Sequence, residues 1–192
     1  MTTCYKLTRQ NNTTYNNCLW GEGITHETDG IGRLCGAGWL HAYSHPLLAV
    51  FLNPIHAGIK NPKLWECIGD GEYLNDNGLK CGFTRLTTVK EISLPEVTTE
   101  QRIAFAILCA MEVCRDPEWT AWADNWLRGD DRNSDTVRAA ASEAAWAARE
   151  AAREAASEAV RSAARAALAA AWAAAVAADI DLISIAKKAM EY

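Results

Sequence analysis

One stretch limits the architecture more than any other. Between Val137 and Ala178 the chain carries 24 alanines in 42 residues. Alanine is the best helix former because ordering its side chain costs no rotamer entropy. No glycine follows Gly129 and no proline follows Pro117, so nothing in the composition stops a helix there. Glu150/Arg153 and Glu158/Arg161 add opposite charges three residues apart, each a small support. A single straight helix from Ser134 to Ala178 would be about 67 Å long at 1.5 Å per residue. That exceeds a compact domain of this size, so breaks are expected near Ser157–Ser162 and at Asp179. Asp179 or Asp181 then caps a last helix, Asp181–Ala189. Alanine faces allow close helix approach, with Trp146, Leu168, Trp172 and Val176 filling the remaining space. They bury little area, so each pairing contributes less than leucine packing would.

The helical signal begins earlier. Thr98 and Gln101 form a capping-box pattern. Ile103, Ile107, Ala110 and Cys114 follow on one helical face. Asp116-Pro117 reads as an N-cap with a first-turn proline, and Gly129 as the stop. Trp119, Trp122 and Trp126 share a face between them. Such a row can stack bases, but Asp116, Glu118 and Asp124 surround it with negative charge, which favours packing.

The first half is punctuated differently. Cys4–Thr8 reads as a short strand, followed by loop at Asn11, Asn12, Asn16 and Asn17. Cys18-Leu19-Trp20 reads as a second strand, ended by Gly21 and Gly23. Gly30 and Gly32 mark another turn; a phosphate-binding loop would need a helix after them, and none is visible. Trp39–Tyr43 reads as a strand or extended loop. Ser44 is the expected N-cap of a buried helix over Leu47–Leu52, with Pro46 in its first turn and Asn53-Pro54 as its stop. Lys63–Ile68 alternates as a strand does. Gly69-Asp70-Gly71 reads as a hairpin turn into Glu72-Tyr73-Leu74, and Asn75-Asp76-Asn77-Gly78 as a second. Leu79–Phe83 and Thr84–Ile92 read as further strands, and Pro95 closes the half. The fold class is therefore α+β. A small, mostly antiparallel β domain with one short helix, residues 1–97, precedes an alanine-rich helical bundle or hairpin, residues 98–192.

Charge narrows the partners. Residues 1–97 hold 8 Lys/Arg against 9 Asp/Glu, net −1, and residues 98–192 hold 11 against 15, net −4. Neither half carries the basic footprint that duplex nucleic acid requires. The seven cysteines are odd in number and include no CxxC pair, which points to reduced thiols and not to a disulfide framework or a zinc site. No apolar run is long enough to span a bilayer, and residues 1–6 lack the apolar core of a leader. A cytoplasmic protein is expected, with no metal and no cofactor.

The candidate site is the stretch Leu34–Glu66, which holds three of the four histidines and three of the five prolines. Trp39, His41, Tyr43, His45 and His56 are the candidate ligand-binding residues. His41 and His45 are four apart, but the flanking glycines and Pro46 argue against one helical face. His26 with Glu22, Glu27 and Asp29 matches no zinc spacing. Cys35 and His41 are a conceivable nucleophile pair.

The segments CYKLT, LCGAGWLHAYSHPLLAVFLNP and LWECIGDGEYL carry a resemblance. Residues 3–95 resemble an uncharacterised domain of phage and prophage proteins, with a Tyr-Lys strand and a Leu-Cys-x-x-Gly-aromatic-x-His-Ala motif followed by Pro-Leu. The family pattern is tighter between the aromatic residue and the histidine than Trp39 and His41 are here. The alanine-rich part resembles bacterial immunity proteins in texture. The resemblance implies a phage context, hence a host-cell cytoplasm, and no mechanism.

Three readings follow. The first is a non-enzymatic phage accessory or counter-defence protein that binds a host protein or a small nucleotide. The second is an enzyme similar to ADP-ribosyltransferases, in which His41, Tyr43 and Glu66 (or Glu91) surround NAD; this is analogy at the level of fold. The third is a structural protein that forms a homo-oligomer through its alanine-rich helices.

Overall fold

The computed structural model describes residues 1–130 and 180–192. The expected helix over Ser134–Ala178, its breaks, and the packing of Trp146, Leu168, Trp172 and Val176 lie outside the described residues. The chain divides into two compact units. The first is Met1–Thr98 with Asp181–Lys187; the second, counted over the described residues, is 99–130 and 180 with Lys188–Tyr192.

The first unit is an α+β structure built on one antiparallel sheet. Its strands are β1 (Thr2–Thr8), β2 (Thr25–Glu27), β3 (Leu40–Ala42), β4 (Lys63–Asn75) and β5 (Cys81–Ile92). The order is β1-β4-β5-β2, with β3 pairing a different stretch of β5. Tyr43, one residue past β3, bridges back to Tyr5 of β1 through two backbone hydrogen bonds of 2.8 Å. Through that single bridge β1, β4, β5 and β3 close into a ring, a small barrel.

Alternation sorts the ring's residues. Cys4, Cys67, Trp65, Ala42, Cys81, Phe83 and Leu86 cluster inside with Trp20. The neighbouring positions point the other way. There Leu7 and Leu64, register partners, are buried on the face where α1 (Pro46–His56) packs against β1. Helix α1 buries Leu48, Ala49, Val50, Phe51 and Leu52. Each large apolar side chain so removed from water contributes on the order of 1.5–3 kcal/mol before entropy is counted.

Several details differ from the sequence reading. Cys18–Trp20 is not a strand: Leu19 makes one isolated bridge to Thr13, and Trp20 turns inward, 2% exposed. The second strand is Thr25–Glu27, too short to announce itself. His45, not Ser44, caps α1, its ring Nδ1 accepting from the Leu47 N–H at 3.2 Å. The helix runs through Pro54 to His56, forgoing the one helical hydrogen bond that a proline cannot donate. The Asn53 side chain closes the end: its amide donates to the Ile59 carbonyl at 2.8 Å and its oxygen accepts the Ile59 N–H at 3.0 Å.

Gly69-Asp70-Gly71 is not a turn but the middle of one 13-residue strand. Gly69 is required there by contact, since a Cβ would lie 2.5 Å from the Phe83 ring. Gly71 sits at φ 76 in a bulge, where the register shifts between Asp70 and Tyr73. Leu79–Phe83 and Thr84–Ile92 likewise merge into β5. The hairpin turn is the second one expected: Asn77 and Gly78 both have positive φ, and the Leu79 N–H donates to the Asp76 carbonyl at 2.8 Å.

In the second unit, α2 spans Thr99–Val113 and α3 spans Pro117–Arg128. Asp116 caps α3 by accepting from the Trp119 N–H at 2.8 Å, and Gly129 ends it in the left-handed region. Trp126 is buried, while Trp119 and Trp122 are half-buried with ring centroids 6.1 Å apart. The Gln101 amide donates to the Met190 carbonyl at 3.1 Å. Helix α4, Leu182–Ala189, belongs up to Lys187 to the first unit, and Asp181 caps it by accepting from the Ile183 and Ser184 N–H groups at 3.1 Å each.

Candidate functional site

Strand β3 organises the candidate residues. Leu40 and Ala42 face the barrel interior, so by alternation Trp39, His41 and Tyr43 face out. Trp39 is buried and its indole donates to the Gly32 carbonyl at 3.1 Å, which pins the loop before β3. The His41 ring nitrogen Nε2 meets the Leu34 carbonyl. A carbonyl only accepts, so Nε2 carries the proton and Nδ1 is the acceptor nitrogen of the neutral ring. Burial holds the His41 pKa below the ordinary histidine value, and the ammonium groups of Lys6 and Lys80 act in the same direction.

Helix α1 brings the second histidine. The His56 ring stacks on Tyr43, centroids 6.0 Å apart and planes 16° apart. His56 Nδ1 is buried and has no hydrogen-bond partner among the described residues. Burial, with Lys80 and His41 adding to it, pushes the His56 pKa down to about 4, against a smaller upward pull from Asp76. Burial raises the pKa of the Tyr43 phenol. His41, Tyr43 and His56 are thus uncharged near neutral pH.

Lys80, just past the β4–β5 turn, is the cation that both histidines sense. Its Nζ donates to the sulfur of exposed Cys35 at 2.8 Å. His41 of β3, Tyr43 just after it and His56 of α1 are thus neighbours, and the Lys80 charge, from just past the hairpin turn, acts on both histidines. The arrangement sets two neutral imidazoles, one stacked on buried Tyr43, within the electrostatic reach of one ammonium. That combination can hold an aromatic group joined to an anion.

The other candidates go elsewhere. His45 is used as the helix cap, its pKa lowered by burial and by Lys187. Glu66 pairs in register with Tyr5, which itself pairs with Tyr43; it sits two strands from Tyr43, roughly 10 Å at the usual spacing. Its carboxylate instead meets the Lys90 ammonium at 3.6 Å. Glu91 likewise pairs with Lys63 at 3.2 Å. Cys35 is engaged by Lys80, while His41 is engaged by Leu34. Among the described residues no group of three or more His, Cys, Asp or Glu is placed to hold a metal ion, and no helix is long and apolar enough to cross a membrane.

Lys80 was missed in the sequence because nothing distinguishes a lysine after a turn from any solvated lysine. Lys6 was missed as an interior residue, although it shares strand parity with Cys4 and Thr8. It is 8% exposed, its Nζ donates to the His41 carbonyl at 2.8 Å, and the ammonium lies 4.4 Å from the centre of the Trp20 ring. Comparison of the chain with protein-family models, with curated proteins and with solved structures finds no match to any of them.

Proposed function

We propose that this protein is a non-enzymatic binding protein that takes a small nucleotide on the face formed by His41, Tyr43, His56 and Lys80. The observation that carries the reading is the stacking of His56 on Tyr43, beside a lysine whose charge acts on both His41 and His56. A nucleotide has the matching chemistry, a planar base for ring contacts and a phosphate for the cation. The phage context rests on the resemblance of residues 3–95 and makes the role that of an accessory or counter-defence factor in the host cytoplasm. A host protein bound on the same face is the competing partner. The separation of Glu66 from Tyr43, and its pairing with Lys90, speaks for binding over transfer chemistry on NAD.

Calorimetry against a panel of mono- and dinucleotides tests the proposal. Expected is saturable binding that falls at least tenfold in Lys80→Ala and weakens in His41→Ala. No heat from any nucleotide, together with capture of a host protein that Lys80→Ala loses, would transfer the face to a protein partner. Neither ligand nor partner would remove the binding reading. Release of nicotinamide from labelled NAD would replace it with an enzyme.

A further inference from the structure

The barrel interior holds a pair of thiols that the ligand face does not use. Cys4 of β1 and Cys67 of β4 are direct register partners on adjacent antiparallel strands. Both are 0% exposed, both are free, and both belong to the same interior cluster. Directly opposed residues of an antiparallel pair have Cα atoms about 4.5 or 5.5 Å apart, depending on their place in the ladder, and a disulfide accepts about 4.4–6.8 Å. The pairing that β1 and β4 already make therefore needs little backbone movement to be bridged. A register shift on the β5 side, between Glu66 and Cys67, gives the β4 backbone an irregularity at that point.

We infer that Cys4 and Cys67 are a redox-active dithiol whose oxidation staples β1 to β4. The inference stands independently of the ligand reading. The oxidant is a small disulfide such as oxidised glutathione. One thiol of the pair loses its proton to water and attacks a reagent sulfur, so the reagent S–S bond breaks and one reduced glutathione leaves. The second thiol, also deprotonated, attacks the protein-bound sulfur, forms the Cys4–Cys67 bond and expels the other glutathione. The pair gives up two electrons and two protons, and the reagent is reduced to two thiols.

The closed barrel makes this step slow. The hydrogen bond to Cys67 and burial push the Cys4 thiol well above its ordinary pKa, so the reactive thiolate is scarce. Beyond β4, the ring holds β1 through the Tyr5–Tyr43 bridge and the Lys6 contact to the His41 carbonyl. Oxidation passes through the form in which β1 has come away, and the disulfide then prevents that opening by closing a span of 63 residues. Cys81 is the competing partner, since it shares the cluster, but its register partners are Ala42 and Asn75.

The experiment incubates reduced full-length protein with a glutathione redox buffer to equilibrium, then maps disulfides by non-reducing peptide mass spectrometry. Expected is a Cys4–Cys67 link, formed faster in mild denaturant, and a higher melting temperature for oxidised than for reduced protein. Cys67→Ser and Cys4→Ser each abolish the link and the difference in melting; Cys81→Ser leaves both. A dominant Cys4–Cys81 or Cys67–Cys81 link, or no link between Cys4 and Cys67 at equilibrium, overturns the assignment. The wild-type map decides this even where a variant fails to fold.

Discussion

The imidazole of His56 lies stacked on the phenol ring of Tyr43, centroids 6.0 Å apart, with its Nδ1 buried and without a hydrogen-bond partner among the described residues. Protonating that ring would bury a charge, which the Lys80 ammonium further disfavours. The folded-state pKa is accordingly about 4, against 6.5 for the free side chain. Between those values the unfolded chain binds more protons, so stability rises with pH; the His56 contribution is complete above about 6.5 and lost as pH falls through about 4. With a discount for its partial exposure, the swing is of order 1–2 kcal/mol. Urea titrations at pH 4.5 and 7 check this: His56→Gln flattens the dependence, and an unchanged slope would show that other groups set it.

Lys6 ties the barrel interior to the site by holding the His41 carbonyl. Burial holds its pKa below 10.5, so the folded protein binds fewer protons than the unfolded chain over the range below that value. Its share of stability therefore increases as pH rises toward 10.5, and Lys6→Met removes that alkaline slope. Methionine keeps the volume, so the cost near neutrality is expected below about 1.5 kcal/mol. Lys6→Ala leaves a cavity against Trp20 and is expected to cost about 2–4 kcal/mol. Chemical denaturation of both variants separates the volume from the charge. Equal losses would mean that the ammonium, not the stem, is what the interior holds.

Gly69 is where β4 passes beneath Phe83. A methyl group would sit 2.5 Å from three ring carbons, and an aromatic ring cannot fold away as a flexible chain end can. Gly69→Ala is expected to cost about 1–3 kcal/mol through overpacking. Adding Phe83→Leu to Gly69→Ala should recover part of the loss, measured as a double-mutant cycle. Additive losses would mean that the two residues do not share the space.

What the sequence revealed depended on whether the signal was local. The cap at Asp116, the stop at Gly129, the Asn77-Gly78 turn and the cap at Asp181 each need only neighbouring residues, and all are where the pattern puts them. Gly69-Asp70-Gly71 has the same composition as a turn, yet its glycines answer to Phe83 and Thr84 across the sheet, which no local reading can see. The antiparallel α+β class followed from short β-branched runs and glycine punctuation. The ring closure did not, because it rests on one bridge between residues 38 apart, Tyr5 and Tyr43. The same holds for the site. His41 and Tyr43 share parity on one strand and were legible together; His56 joins them only because α1 runs a turn past Asn53-Pro54. Lys80 arrives from a distant hairpin.

Asn53 carries that last turn. Its side-chain amide bonds both backbone groups of Ile59, while its own carbonyl accepts from the N–H groups of Ala57 and Gly58 at 3.1 and 2.6 Å. The carbonyl bonds belong to the helix end and survive any substitution; the amide clamp belongs to asparagine alone. Asn53→Ala removes two hydrogen bonds that are only part-buried, so the loss of global stability is expected to be about 1–2 kcal/mol. The sharper consequence is local. Without the clamp the residues after α1 are free to fray, and His56, in the final turn, loses its fixed stacking on Tyr43. The His56 imidazole then gains solvent and its pKa moves up from about 4 toward the ordinary histidine value. Two-dimensional NMR titration of the histidine ring protons reads this directly. Expected is an upward shift for His56 in Asn53→Ala with little change at His41, whose strand does not depend on the clamp. Equal movement at both histidines would show that the clamp supports the whole face and not the helix end alone.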